Sequence, residues 1–324
     1  MDYIAPSWLP GGHAQTIYAA VAVPRPLVLY RRERWDTPDG DFIDLDWADP
    51  APEPGMQGAG ETPLVALFHG LEGNSQSHYA VALMAAVLRI GWRGAVVHFR
   101  GCSGELNRLP RAYHSGDSAE IDWILRRLRQ CCPAAPLYAV GVSLGGNTLL
   151  KWLGETGASA HGLIDRAAAV SAPVNLMAAG NALDHGFNLV YVRHFLATMK
   201  RKSLVKLERF PGLFDREQVR AAHTLRKFDD LVTAPLHGFR NTDDYWTRAS
   251  SKPLLRDIAV PTLLVNARND PFLPQTALPQ AHEVSAAVTI EFPAAGGHAG
   301  FVAGAPPGHL GWLPQRILEY LANL

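Results

Sequence analysis

The chain has 324 residues, 48% of them hydrophobic and 19% charged, which is enough to bury a large core in one extended domain. Thirty basic residues balance thirty acidic ones; no whole-chain field favours nucleic acid, and no basic-aromatic recognition pattern is present. The longest uncharged apolar stretch, 79–88, is far too short to span a bilayer, and the opening Met1-Asp2-Tyr3-Ile4-Ala5-Pro6 lacks an apolar core of signal-peptide length, so a cytoplasmic protein is expected. The three cysteines have no metal-binding spacing, adjacent Cys131 and Cys132 are poorly placed to pair with each other, and Cys102 has no helix directly after it; all three read as structural thiols.

In chain order, 27–34 and 42–47 read as two strands joined by a turn around Pro38-Asp39-Gly40, an antiparallel start. Residues 49–63, rich in Pro, Gly and Glu, read as an exposed loop. The pattern then alternates between strand at 64–68, helix at 79–90, strand at 94–99, helix at 117–129 and strand at 137–140. A helix at 148–153 and a short buried strand at 167–170 follow. Such alternation implies a mostly parallel sheet with helices on both faces. It stops after Ala172-Pro173 and resumes with strands at 262–267 and 288–292 and an amphipathic helix at 313–324. The stretch between, 174–250, is expected as a helical cap inserted into a single domain spanning 1–324, with helices at 190–206 and 216–227. Its basic cluster, Lys200, Arg201, Lys202, Lys206 and Arg209, reads first as a solvated helix face and second as a weak contact for an anionic membrane surface.

Gly141-Val142-Ser143-Leu144-Gly145 lies between the strand at 137–140 and the helix that follows. That layout is a nucleophile elbow, a sharp strand-to-helix turn where a serine takes a strained backbone angle and side chains two residues before or after it would collide. Serine is a poor nucleophile at neutral pH and needs a histidine to take its proton and an acid to orient that histidine. With the acid after the serine and the histidine last, both on loops leaving late strands, the thirteen histidines reduce to a pairing of Asp270 with His298. Asp270 sits in a turn before Pro271, and His298 is flanked by Gly296, Gly297 and Gly300. His309 lies past the last strand, and Asp165, Asp184, Asp243 and Asp244 read as helix caps or solvated charge. Acyl chemistry also requires donors for the tetrahedral oxyanion. The backbone N–H groups of Leu144 and of Leu71, in His69-Gly70-Leu71-Glu72-Gly73, are the candidates, with Gly70 permitting close approach. His69 itself reads as a hydrogen-bonded scaffold residue.

Taken together the segments resemble the YheT-like, or hydrolase-4, branch of the α/β-hydrolase superfamily. The resemblance runs through Pro10-Gly11-Gly12-His13-Ala14-Gln15-Thr16, the 69–73 loop, Arg100-Gly101-Cys102, Tyr113-His114-Ser115-Gly116-Asp117, the elbow with 150–155, the 266–272 segment and Gly296-Gly297-His298. It implies an α/β-hydrolase fold with an eight-stranded sheet and a carboxylic-ester hydrolase using Ser143, Asp270 and His298. Its substrates would be small-molecule esters of short- and medium-chain acids, including glycerides and phospholipids. No metal or organic cofactor is called for. Arg100 and His114 read chiefly as buried loop residues and secondarily as pocket residues, and Phe187, Phe195 and Leu196 as candidates for an acyl-binding wall. Acyl transfer to an alcohol or thiol is the alternative that the same three side chains would serve, and a binding-only scaffold is disfavoured because no member of the three is missing. Nothing in the sequence sets an oligomeric state.

Overall fold

A computed structural model of the chain describes residues 2–51 and 61–323. Of the loop expected at 49–63, residues 52–60 lie outside the described residues, as do Met1 and Leu324. The eight strands are β1 (Arg31–Asp36), β2 (Phe42–Ala48), β3 (Leu64–Phe68), β4 (Arg93–His98), β5 (Leu137–Val142), β6 (Arg166–Val170), β7 (Thr262–Val265) and β8 (Val288–Glu291). They form one sheet in the order β1-β2-β4-β3-β5-β6-β7-β8. β1 and β2 are antiparallel to their neighbours and the rest run parallel.

The helices are α1 (Gly12–Val21), α2 (His78–Arg89), α3 (Ser118–Cys131), α4 (Leu144–Thr156), α5 (Leu176–Leu183), α6 (Leu189–Arg209), α7 (Arg216–Ala221), α8 (Leu225–Phe228), the single turn α9 (Ala234–Leu236), α10 (Thr242–Ala249) and α11 (Trp312–Ala322). Alternate strand residues feed two cores. Leu64, Ala66 and Phe68 pack with Ile121 of α3 and Leu149 of α4, whereas Val65 and Leu67 pack with Met84 of α2 and Ile317 of α11. This is the period-two burial of a strand covered on both faces, and it explains why these strands read as unbroken apolar runs.

Several element boundaries differ from expectation. The first strand begins at Arg31 rather than residue 27: Leu27 and Leu29 are exposed, and pairing starts where Arg31 faces Trp47. Arg32 and Arg34 then lie directly opposite Asp46 and Asp44 and form ion pairs with them at 2.7 and 2.8 Å. The helix expected at 216–227 is two helices, because Thr224 takes an extended backbone and accepts the Lys227 N–H on its hydroxyl, capping α8 and ending continuity with α7. Helix α1 has only a short apolar pattern and was not expected.

α5 to α10 all lie between β6 and β7, and they share a core of their own that includes Val192, Phe228, Trp246 and, from the loop after β7, Phe272. α6 runs for 21 residues, longer than expected at both ends.

Candidate active site

β5 delivers Ser143 to the start of α4 with φ +54° and ψ −121°, a region that costs a non-glycine residue about 1–3 kcal/mol. The turn is pinned by the Ser143 N–H to the Val170 carbonyl (2.8 Å) and the Gly145 N–H to the His69 carbonyl (3.1 Å). A Cβ at position 141 would stand 2.5 Å from the Gly145 oxygen, and one at 145 would stand 2.3 Å from the Phe68 oxygen, so both positions require glycine. Gly70 packs its Cα side against Ser143, where an added Cβ would lie 3.0 Å from the serine Cβ.

The other two side chains arrive from loops after β7 and β8. Asp270 is fully buried, accepts the Phe272 N–H on Oδ1 (2.8 Å) and lies 2.9 Å, through Oδ2, from His298 Nδ1. His298 Nε2 is 2.9 Å from Ser143 Oγ. Because the carboxylate only accepts, the imidazole proton belongs on Nδ1, which leaves Nε2 to accept the serine hydroxyl proton. The Phe272 ring stacks on the imidazole at 4.0 Å, so both nitrogens and one face of the ring are held. The histidine loop turns sharply through positive φ at Gly296, Gly297, Ala299 and Phe301. A hydroxyl, imidazole and carboxylate in this order are able to pass a proton from oxygen to nitrogen while the carboxylate stabilises the imidazolium.

Leu71 and Leu144 line the same space. Both residues border the cavity that contains Ser143 and His298, and as the first residue of α4 Leu144 has no intrahelical partner for its N–H. The cavity measures about 1240 Å³, including its opening to solvent, and its wall is mainly apolar, with Leu176, Met199, Phe228 and Trp246 prominent. Phe195 belongs to that wall. Phe187 and Leu196 do not. Phe187 is 54% exposed and packs on His13, and Leu196 is turned into the core of the helical insertion, one position around α6 from the face bearing Phe195, Met199 and Lys202.

His69 is fully buried, its Nε2 accepting the Phe99 N–H (3.1 Å) and its Nδ1–H donating to the Gly70 carbonyl (2.7 Å); burial pushes it down to about 3, so it is neutral. His114 borders the cavity, lies 4.3 Å ring to ring from His237 and is likewise pushed down to about 3 by burial. Arg100 is buried in an ion-pair cluster with Glu120 (2.7 Å), Asp39 (2.9 Å) and Asp41 (3.0 Å) and touches the cavity at its edge. Burial pushes the Cys102 thiol up to about 12, which disfavours a thiolate there. The four alternative acids have other partners: Asp184 accepts the Leu225 and Arg226 N–H groups, Asp165 the Leu137 N–H, and Asp243 and Asp244 pair with Arg226 and Arg240.

The basic cluster is not one solvated face. Lys206 is buried and donates to the carbonyls of Leu109, Pro110 and Arg111, and Lys202 pairs with Glu72 at 2.8 Å. Sequence reasoning also missed Tyr79, whose hydroxyl accepts the Gly70 N–H (2.9 Å), and Asp229 in the cavity wall. Tyr79 reaches back nine residues from α2 and Asp229 is held by Thr233 and Trp246, and neither contact leaves a motif in the sequence. Among the described residues no group of three or more His, Cys, Asp or Glu side chains gathers to hold a metal ion, and no helix is long and apolar enough to cross a membrane.

A sheet of this order with an elbow after its fifth strand and an acid and a histidine beyond its last two defines an α/β hydrolase. A family model described as the alpha/beta hydrolase fold matches residues 63–305, and the chain belongs to that family. Within it the chain sits on the YheT-like branch: it is 39% identical to YheT of Escherichia coli (strain K12) over 293 residues, covering 90% of this chain and 84% of that protein. It is also 32% identical to phospholipase ABHD3 of Mus musculus over 321 residues, 98% of this chain and 78% of that one. Among solved structures, the Pyrococcus furiosus esterase Pf2001 superposes with a TM-score of 0.56 at 16% identity, covering 93% of this chain and 98% of the other, a likeness of fold. The chain is accordingly an enzyme of the carboxylic-ester hydrolase class.

Proposed function

We propose that the chain hydrolyses esters of short- and medium-chain acids, glycerides and phospholipids among them, by a serine acyl-enzyme route. The observation that carries the reading is the unbroken relay from Asp270 through His298 to Ser143 at 2.9 Å per step, opening into a mainly apolar cavity. Ser143 Oγ attacks the ester carbonyl carbon while its proton passes to His298 Nε2, and the developing oxyanion accepts from the Leu71 and Leu144 N–H groups. The carbonyl re-forms as the ester C–O bond breaks, and the departing alkoxide takes the proton from His298. Water then attacks the acyl-serine, giving its proton to the same imidazole, which returns it to Ser143 as the acid leaves. The phospholipase name of the ABHD3 relative, and that of the Saccharomyces cerevisiae monoacylglycerol lipase (28% identical over 68% of this chain and 51% of that one), support the lipid-ester class.

Hydrolysis of p-nitrophenyl esters of graded chain length tests the reading. kcat/KM is expected to peak at short to medium acyl chains, and Ser143→Ala, His298→Ala and Asp270→Asn are each expected to lower kcat by about 10⁴-fold. Activity of any of the three variants within about tenfold of wild type would overturn the role given to that residue.

A further inference from the structure

Helix α1 lies far from the elbow in sequence, yet its first two turns press against both loops that bear the acid and the base. Gln15 and Thr16 are polar and buried, 1% and 8% exposed. Gln15 Nε2 donates to the Leu9 carbonyl (3.0 Å), and its Oε1 accepts from the Gly296 N–H (2.8 Å) in the histidine loop and from Asn269 Nδ2 (3.0 Å) beside the aspartate. Asn269 Oδ1 in turn accepts the Gly297 N–H at 3.0 Å, so the two loops are tied to each other through one amide and to α1 through another. The Thr16 hydroxyl donates to the Gly12 carbonyl (2.7 Å) and accepts the backbone N–H of His298 itself (2.8 Å).

The fit is close as well as polar. A Cβ on Gly12 would stand 1.9 Å from the Asn269 oxygen, and one on Gly297 would stand 2.8 Å from Thr16 Oγ. His13 extends the contact to the helical insertion: its Nδ1 is 3.1 Å from the Tyr191 hydroxyl, Tyr191 packs on Phe272 at 4.8 Å, and Phe272 is the ring stacked on His298.

Neither loop is regular structure, and the histidine loop turns through left-handed backbone. We propose that Gln15 and Thr16 are positioning residues for the acid and base of this hydrolase, acting through the loop backbones on Asp270 and His298 and touching no reacting atom. The proposal rests on Ser143, His298 and Asp270 being the catalytic set.

The test compares Thr16→Val, which keeps the shape and removes the hydroxyl, with Thr16→Ser, which keeps the hydroxyl, and with Asn269→Ala, which cuts the tie between the loops from a less buried position. kcat and KM on p-nitrophenyl butyrate and the rate of fluorophosphonate labelling are measured for each, with thermal unfolding alongside. Thr16→Val is expected to lower kcat and the labelling rate by on the order of 10²-fold with KM within about twofold, since a misplacement of about 1 Å costs that much. Asn269→Ala is expected to lower them in the same direction, and Thr16→Ser to retain wild-type rates. Wild-type kcat and labelling in folded Thr16→Val, or in Asn269→Ala where Thr16→Val does not fold, would overturn the proposal. Ser143→Ala separates the two readings: if it abolishes labelling while Thr16→Val and Asn269→Ala are unchanged, only the positioning role falls, and if it still labels, the catalytic set falls as well.

Discussion

At the scale of single residues, Asp229 shows how the cavity constrains stability. It lies on a π-helical turn, Asp229–Thr233, and borders the cavity, with Thr233 Oγ donating to one carboxyl oxygen (2.6 Å) and Trp246 Nε1 to the other (2.8 Å). Burial pushes its carboxyl up from 3.8 to about 7 despite those two donors. The folded state therefore holds this proton more tightly than the unfolded chain does, and stability from this group falls as pH rises through the window from 3.8 to about 7. Asp229→Asn removes the effect. The melting temperature of the variant relative to wild type is expected to climb by several degrees between acid and mildly alkaline buffer, and a pH-independent difference would contradict this account of the site. The same scale shows which site residues are legible in a linear sequence. The geometry at Gly141, Ser143 and Gly145 follows from a local turn that permits few residue types, so the pentapeptide announces it. Phe187 and Leu196 fall outside the wall because apolar character does not set direction: Phe187 lies on the short turn Gly186–Asn188 before α6 and packs on His13, and Leu196 is rotated into the core of the insertion.

Among elements, the helical insertion is held together by contacts that leave no tolerance. Gly180 of α5 faces the Trp246 ring of α10, where an added Cβ would lie 2.3 Å from the nearest ring atom. Both residues border the cavity. Gly180→Ala must part the two helices, at a cost typical of overpacking, about 1–3 kcal/mol. A lower denaturant midpoint is expected, together with an altered KM for the longest esters turned over; an unchanged midpoint would show that the crossing relaxes freely. Elements with a continuous apolar run bounded by polar and turn residues were legible nearly to the residue, as with β3, whose five residues are apolar because both faces are covered. Those decided by a partner were not. β1 starts where its arginines meet the aspartates of β2, and α8 starts where Thr224, the residue before it, caps it; neither signal is carried by apolar residues, so the hydrophobic pattern does not show it.

Across the whole molecule, the βα alternation was enough to give a mostly parallel sheet, but the order in which strands pair depends on crossovers that sequence does not display. β4 sits between β2 and β3, and helix α1 crosses back to the loops after β7 and β8. The relay joins residues 143, 270 and 298 because parallel strands deliver their carboxyl ends to one edge, where loops of unrelated sequence position meet. The most direct measurement of that convergence is peptide mapping after fluorophosphonate labelling of wild type, Ser143→Ala and His298→Ala. A single adduct on the peptide containing Ser143, absent from Ser143→Ala and formed far more slowly in His298→Ala, is the predicted result. An adduct that persists in Ser143→Ala, or that forms at the wild-type rate without His298, would contradict it.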